Sequence, residues 1–312
     1  MKKILGIGNA LVDVLVEIND ESVFNKFGLK KGGMEMISAE LKNEIHREIQ
    51  GFKQTVVSGG STSNTIYGLA QLGAQAGYIG KIGNDETGAF FKKDMEKMGV
   101  NTHLSYSKID TGIATTFITQ GGELTFATYL GAAATQTPED LNEQIFSQYD
   151  IIHVEGYLIF NRDLILNICK LAKKCGLKIS MDMASYNLVE TMHPLVDELL
   201  RDYVDIIFAN EEEAFAFTGK KEREALEILS GYCPVSVVKL GAEGSLAKVH
   251  GETTIIPAVK AHCKDTTGAG DIFAAGFLYG LINNYPIPET GALASKLGAK
   301  CVETIGARIN GV

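Results

Sequence analysis

The chain has 312 residues, 45% of them hydrophobic, and a formal charge of −9, with a sequence pI near 5.3 and a mean hydropathy of +0.06. That is enough chain to bury a substantial core without staples, and an acidic balance lacking clustered Lys and Arg gives no footprint for a nucleic-acid partner. No run of eighteen apolar residues occurs, which excludes a helical membrane span. The cysteines (Cys169, Cys175, Cys233, Cys263, Cys301) form no Cys-x-x-Cys pair, and the apolar start of the chain is broken by glycines before Asp13. Free thiols and the lack of a secretory leader predict a cytoplasmic protein.

In chain order, residues 3–8 form an apolar, β-branched run, and 11–18 alternate through Val12, Val14, Val16 and Ile18. Helical patterns follow at 38–49 and 61–72, a buried strand at 76–80 and a helix at 85–98. Residues 112–130 read as two alternating strands around the turn Gln120-Gly121-Gly122-Glu123. Continuous apolar strands then recur at 150–154, 177–181, 204–208 and 235–240, with helices at 161–175, 211–217 and 269–282. Such strands between amphipathic helices predict a three-layer, doubly wound α/β fold with a mainly parallel sheet covered on both faces. The half-buried alternating segments predict a small β-sheet lid, formed by about 11–37 and 103–131, over the carboxyl ends of the parallel strands. With no repeat and no Pro-rich linker, 1–312 reads as one domain.

The chemistry concentrates in Asp265-Thr266-Thr267-Gly268-Ala269-Gly270-Asp271, which runs straight into the last of these helices. Gly268, Ala269 and Gly270 let backbone N–H groups approach an anion at a helix N-terminus, where the helix dipole favours negative charge. A carboxylate at Asp271 would stand beside a bound phosphate and deprotonate an incoming hydroxyl; a plain helix cap is the alternative. A second Gly-rich helix entry, Ser58-Gly59-Gly60-Ser61-Thr62-Ser63-Asn64, brings backbone near a ligand and offers Asn64 to a diol. Asn9 and Asp13, after the first strand, add polar groups for a polyhydroxylated substrate, although Asp13 also reads as a solvated strand residue. Asn210 and Glu213 at a strand's end suit Mg²⁺ held through its waters or a capped helix start, and Lys239, Gly241 and Gly244 offer a cation and backbone to nucleotide phosphates.

Other phosphate and hydrolase signatures are missing. There is no Gly-x-x-x-x-Gly-Lys-Ser/Thr, so a P-loop is excluded; Gly6-x-Gly8 lacks its third glycine, with Leu11 in that place, which counts against a dehydrogenase; and neither His-Glu-x-x-His nor Gly-x-Ser-x-Gly occurs.

On these residues the chain resembles the ribokinase superfamily, the PfkB carbohydrate kinases, over nearly its full length, through the 59–88 region, Asn210 to Glu213, and 265–278. The resemblance implies a ribokinase-like fold, an ATP- and Mg²⁺-dependent kinase, Asp271 as catalytic base, and Gly268, Ala269 and Gly270 as the anion hole. It further implies Asn210 and Glu213 as the Mg²⁺ and phosphate motif, Asp13, Gly59, Gly60 and Asn64 as acceptor-binding residues, and Asp265 and Thr267 beside a K⁺ ion. Gly8-Asn9-Ala10-Leu11-Val12-Asp13 and the Ser after the paired glycines look more like adenosine kinases than ribokinases, so a nucleoside is the expected acceptor, with a sugar or keto-deoxy sugar acid as the alternative. Leu124 stands where related sequences carry a lid Arg. A monomer or a homodimer is compatible with this resemblance.

Overall fold

The computed structural model describes residues 2–309, and its strands are numbered here in chain order. A nine-stranded sheet has the order β14 (Glu252–Ile256), β13 (Ser245–Val249), β12 (Val235–Lys239), β11 (Ile206–Asn210), β10 (Lys178–Asp182), β9 (Ile151–Val154), β1 (Ile4–Ile7), β5 (Ala76–Gly83) and β6 (Asn101–Ser107). All neighbours from β12 to β6 are parallel; only β13, next to one edge, runs antiparallel to its neighbours β12 and β14.

The continuous apolar character of these strands has a simple cause. Successive side chains point to opposite faces, and both faces are buried. Ile4, Ile151, Ile206, Phe208 and Val237 belong to one core, shared with the helices Ser61–Gln71, Glu86–Lys97 and Ala269–Ile282. Leu5, Ile152, Ile207, Ala209 and Val238 belong to another, shared with Arg162–Lys174, His193–Asp202 and Glu222–Tyr232. The three-layer, doubly wound architecture is therefore as expected.

A second sheet has the order β3 (Met34–Met36), β8 (Leu124–Gly131), β7 (Thr111–Ile118), β2 (Leu11–Glu17) and β4 (Gln54–Gly59). Val12, Val14 and Val16 turn one face towards Phe24, Phe27, Ile45 and Ile49 of its own covering helices, Ser22–Phe27 and Ala39–Glu48, and the short turn after them. Two boundaries differ from the sequence reading. Residues 103–107 lie in β6, at the edge of the large sheet, and 54–59 join the small sheet beside β2. The apolar pair Val56–Val57 is too short to announce a strand, and the polar run of β6 is tolerated because an edge strand has one open side.

The glycines of the 77–88 region are explained by packing at the junction of the two sheets. Asp85 caps the helix Glu86–Lys97 by accepting from Gly88 N at 2.7 Å, and also accepts from Thr111 N at 2.7 Å and Thr111 Oγ1 at 2.6 Å. A Cβ on Gly83 would lie 2.7 Å from Ile109 O, and one on Gly88 2.6 Å from Gly83 O. This part of the motif anchors the start of β7.

Candidate active site

Asp271 occupies the first turn of the helix Ala269–Ile282, whose N-cap Gly268 has φ +73°. A side chain at Gly268 is barred twice: by that left-handed backbone and by Ala307 Cβ, 2.2 Å from where a Cβ would stand. Asp271 Oδ1 accepts from Ser61 Oγ at 2.7 Å and Oδ2 from Asn64 Nδ2 at 3.0 Å, while Thr65 Oγ1 donates to its carbonyl at 3.1 Å. Burial pushes the Asp271 carboxyl up to about 6, against the two side-chain hydrogen bonds, which pull it down. A carboxylate of this kind is ionised near neutrality yet a stronger base than one in water.

The paired glycines bring this helix start to the rest of the site. Gly60 has φ +92°, and its Cβ would stand 2.2 Å from Asn9 O; a Cβ on Gly59 would stand 2.1 Å from Asp13 Oδ1. Asn9, Asp13, Gly59, Gly60, Asn64 and Asp271 thus form one neighbourhood. Burial drives Asp13 up to about 7, with Arg308 opposing the shift and Asp271 adding to it.

On the other side of the helix N-terminus, Lys239 Nζ would be 3.1 Å from a Cβ on Gly270, so that glycine leaves room for the ammonium. Lys239 also pairs with Asp182 Oδ2 at 2.8 Å. Burial works against the Lys239 charge, but Asp182 and Glu213 outweigh it and hold the group above its ordinary value. Glu213 is pushed by burial and by Asp182 up to about 7. Asn210 and Glu213 form a capping box: Glu213 N donates to Asn210 Oδ1, and Asn210 N and Nδ2 donate to Glu213, each at 2.8 Å. The helix start is thus capped by this pair, with the Glu213 carboxylate beside the Lys239–Asp182 pair. Among the described residues no three His, Cys, Asp or Glu side chains cluster to hold a metal directly.

The remaining expected positions have local structural duties. Gly241 (φ +54°) and Gly244 (φ +97°) shape the turn after β12, where a Cβ on Gly244 would lie 2.2 Å from Ile256 O. Asp265 Oδ1 accepts from Thr267 N and Oδ2 from Gly306 N, both at 2.7 Å, so it ties the Gly-rich turn to the segment 302–309. Leu124 pairs with Ile118, in the row of Glu17; four residues along β2 and two strands across from Asp13, it lies about 16 Å away.

Three charged residues of the site escaped the sequence reading. Asp182 ends β10, a position that a strand-end rule applied to every parallel strand would have flagged. Glu155 follows β9, is 2% exposed, and accepts from Asn9 Nδ2 and from the N–H groups of Asn9 and Thr62; burial pushes it up to about 7. It also accounts for Gly8, whose Cβ would stand 2.3 Å from Glu155 Oε2, as Gly6 is explained by Ile66 at 2.3 Å. Arg308 comes from the far end of the chain, with no local pattern to mark it.

The pattern of the pfkB family carbohydrate kinases matches residues 26–311. The chain belongs to this family. It is a kinase, and its relatives in the family divide by acceptor. A protein of Archaeoglobus fulgidus described as an uncharacterized sugar kinase is 30% identical over 243 residues, 77% of this chain and 96% of that protein. A 5-dehydro-2-deoxygluconokinase of Geobacillus thermodenitrificans is 29% identical over 277 residues, 82% of each chain. The adenosine kinase of Sinorhizobium meliloti has the same mixed α/β fold with its smaller second sheet, at a TM-score of 0.87 and 32% identity, covering 98% of this chain and 95% of its own.

Proposed function

We propose that this kinase transfers the γ-phosphate of ATP to a hydroxyl of a nucleoside, the 5′-hydroxyl of an adenosine-like acceptor, with Asp271 as the base. The observation that carries the role of Asp271 is its position: a carboxylate with a raised pKa in the first turn of a helix, held by Ser61 and Asn64 beside Asp13 and flanked across the helix start by Lys239. Asp13 and Asn64 bind the acceptor's diol, Asp271 takes the proton of the attacking hydroxyl, the oxygen attacks phosphorus in line, and the bond to the ADP oxygen breaks. The N–H groups at Gly268 and Gly270, with Lys239, stabilise charge on the transferring phosphoryl group, while that of Ala269 donates to Thr266 O at 3.1 Å and closes the turn. Gly241 and Gly244 shape the backbone along the nucleotide's side of the site.

Mg²⁺ would neutralise charge on the phosphates, held through water by Asn210 and Glu213. The donor set fits: oxygen ligands near a helix start, with Asp182 close by. A K⁺ ion beside Asp265 and Thr267 would share a carboxylate that already bridges Thr267 and Gly306.

The nucleoside reading draws support from the small sheet's inner face. Cross-strand pairing puts Val57, Asp13, Ala114, Thr128 and Met36 in one row and Thr55, Leu15, Thr116, Phe126 and Met34 in the next. The side chains of one such row share a face. Within about 16 Å of Asp13, three strand spacings across and two residues along, the sheet thus presents small, aromatic and thioether groups and no further charge, which suits a flat base better than a free sugar. The sugar-acid kinases among the relatives favour the second reading, a sugar or keto-deoxy sugar acid acceptor.

A coupled ADP-release assay with Mg·ATP, run over nucleosides, simple sugars and keto-deoxy sugar acids on wild type and Asp271→Asn, decides between them. Turnover with a nucleoside, lost in the variant, is expected. Turnover with sugars alone would overturn the acceptor, and an active Asp271→Asn protein would overturn the base.

A further inference from the structure

The last described residues return to the site. The segment 302–309 is pinned by Lys264 N to Val302 O at 2.7 Å, by Asp265 Oδ2 to Gly306 N at 2.7 Å, and by Gln71 Nε2 to Ile309 O at 2.7 Å. This carries Arg308 under the second Gly-rich helix start. Its guanidinium stacks on Tyr67, 3.8 Å from the ring centroid, donates to the carbonyl and hydroxyl of Ser58, and gives Nη1 to Asn64 Oδ1 at 3.1 Å. Ser58 is itself fixed by Asp94, to which its N and Oγ donate at 3.1 and 2.6 Å.

Asn64 therefore stands between a side chain that only donates and one that, ionised, only accepts. Its Oδ1 must face Arg308 and its Nδ2 must face Asp271. Turned over, the amide would set its oxygen against the Asp271 carboxylate and its NH₂ against the guanidinium. The local turn at 58–64 does not impose this choice.

We propose that Arg308 is a positioning residue of the phosphoryl-transfer site, fixing the orientation of the Asn64 amide so that Asn64 holds the Asp271 carboxylate for proton transfer. The tail becomes a working part of the site: the Asp265–Gly306 bond that braces the anion hole also delivers the side chain that aligns the base. The kinetic side of this inference rests on Asp271 being the base; the structural side does not. The other charged groups facing Asp271 are Lys239 from β12, Asp182 from β10, Asp13 from β2 and Glu155 after β9.

The test is a pH titration of the Asn64 side-chain amide in [¹⁵N]asparagine-labelled protein, assigned with Asn64→Ser, on wild type, Arg308→Gln, Arg308→Lys and Asp271→Asn. Turnover is measured in parallel with the acceptor found in the panel above. In wild type the Asn64 signal should move with a midpoint near 6, the value to which Asp271 is raised, and Asp271→Asn should abolish the movement. Arg308→Gln should raise the midpoint, since a cation facing Asp13 and Asp271 is gone. It should also lower kcat about tenfold, the size of one charge-assisted hydrogen bond, with the KM for Mg·ATP unchanged. Arg308→Lys, which keeps the charge but not the fork that reaches Ser58 and Asn64 together, should fall between and serves if the Gln variant does not fold. Wild-type midpoint and kcat in either folded variant would overturn the proposal, as would a loss confined to thermal stability. An Asp271→Asn protein that keeps turnover would sink the base while leaving the Asn64 result readable.

Discussion

At the carboxyl ends of the large sheet each charged group of the site already has a partner, whereas the small sheet leaves two apolar side chains open at its β3 edge. Asp271 is held by Ser61 and Asn64, Lys239 by Asp182, Glu213 by Asn210, and Glu155 by Asn9 and Thr62. Met34 and Met36, by contrast, are 58% and 59% exposed. The difference separates two tasks. Groups that must act on the same atoms in every turnover are aligned before substrate arrives, which lowers the cost of reaching the transition state. The rows proposed to face the acceptor are closed at Leu15, Thr116 and Thr128 and open at their β3 end, at Met34 and Met36.

The largest expected effect is at the aligned end. Asp271→Asn should lower kcat by about 10²–10⁴, the range for loss of a positioned base, with nucleotide affinity retained, as read by calorimetry with Mg·ATP. The wild-type rate should also fall as pH drops through about 6, where Asp271 takes up its proton; a flat profile from pH 8 to 5 would contradict the assignment. Next comes Lys239→Met, which leaves Asp182 as an unpaired carboxylate in a site where the pair is only 15% and 11% exposed. Denaturant unfolding should show a loss of roughly 3–5 kcal/mol, and nucleotide affinity should fall as well.

Glu155 gives an effect of intermediate size with a definite sign. Its folded pKa of about 7 lies above the ordinary value of 4.5, so between those pH values the folded chain holds a proton that the unfolded chain has lost. Stability therefore falls as pH rises through that window. Glu155→Gln should flatten this part of the dependence of Tm on pH, and an unchanged slope would show that Glu155 does not carry it. The smallest effect belongs to the open region. Met34→Ser with Met36→Ser should change stability by less than about 0.5 kcal/mol each, as exposed substitutions do, yet raise the KM for a nucleoside several-fold. An unchanged KM would detach these rows from acceptor binding and blur the contrast between the two regions.

Much of this molecule was determined by the order of its residues. The apolar strand runs are buried because both faces of a parallel sheet are covered, and the helix bounds at 61–72 and 269–282 fall within a residue or so of those observed. Asp271 and the glycines at 59, 60, 268 and 270 were legible because helix starts and positive-φ turns are local events, written in consecutive residues. What the sequence did not reveal is what local rules cannot encode. Asp182, Glu155 and Arg308 enter the site from three separate segments, and Arg308 meets Asn64 across 244 positions of chain. The assignment of β4 to the small sheet and β6 to the large one likewise waits on which neighbour offers a free edge. The carboxylate that pairs with Lys239, the proton affinity of Asp271 and the exposure of the small sheet's inner face depend on burial and on charges brought together only by the fold, and so only the tertiary structure decided them.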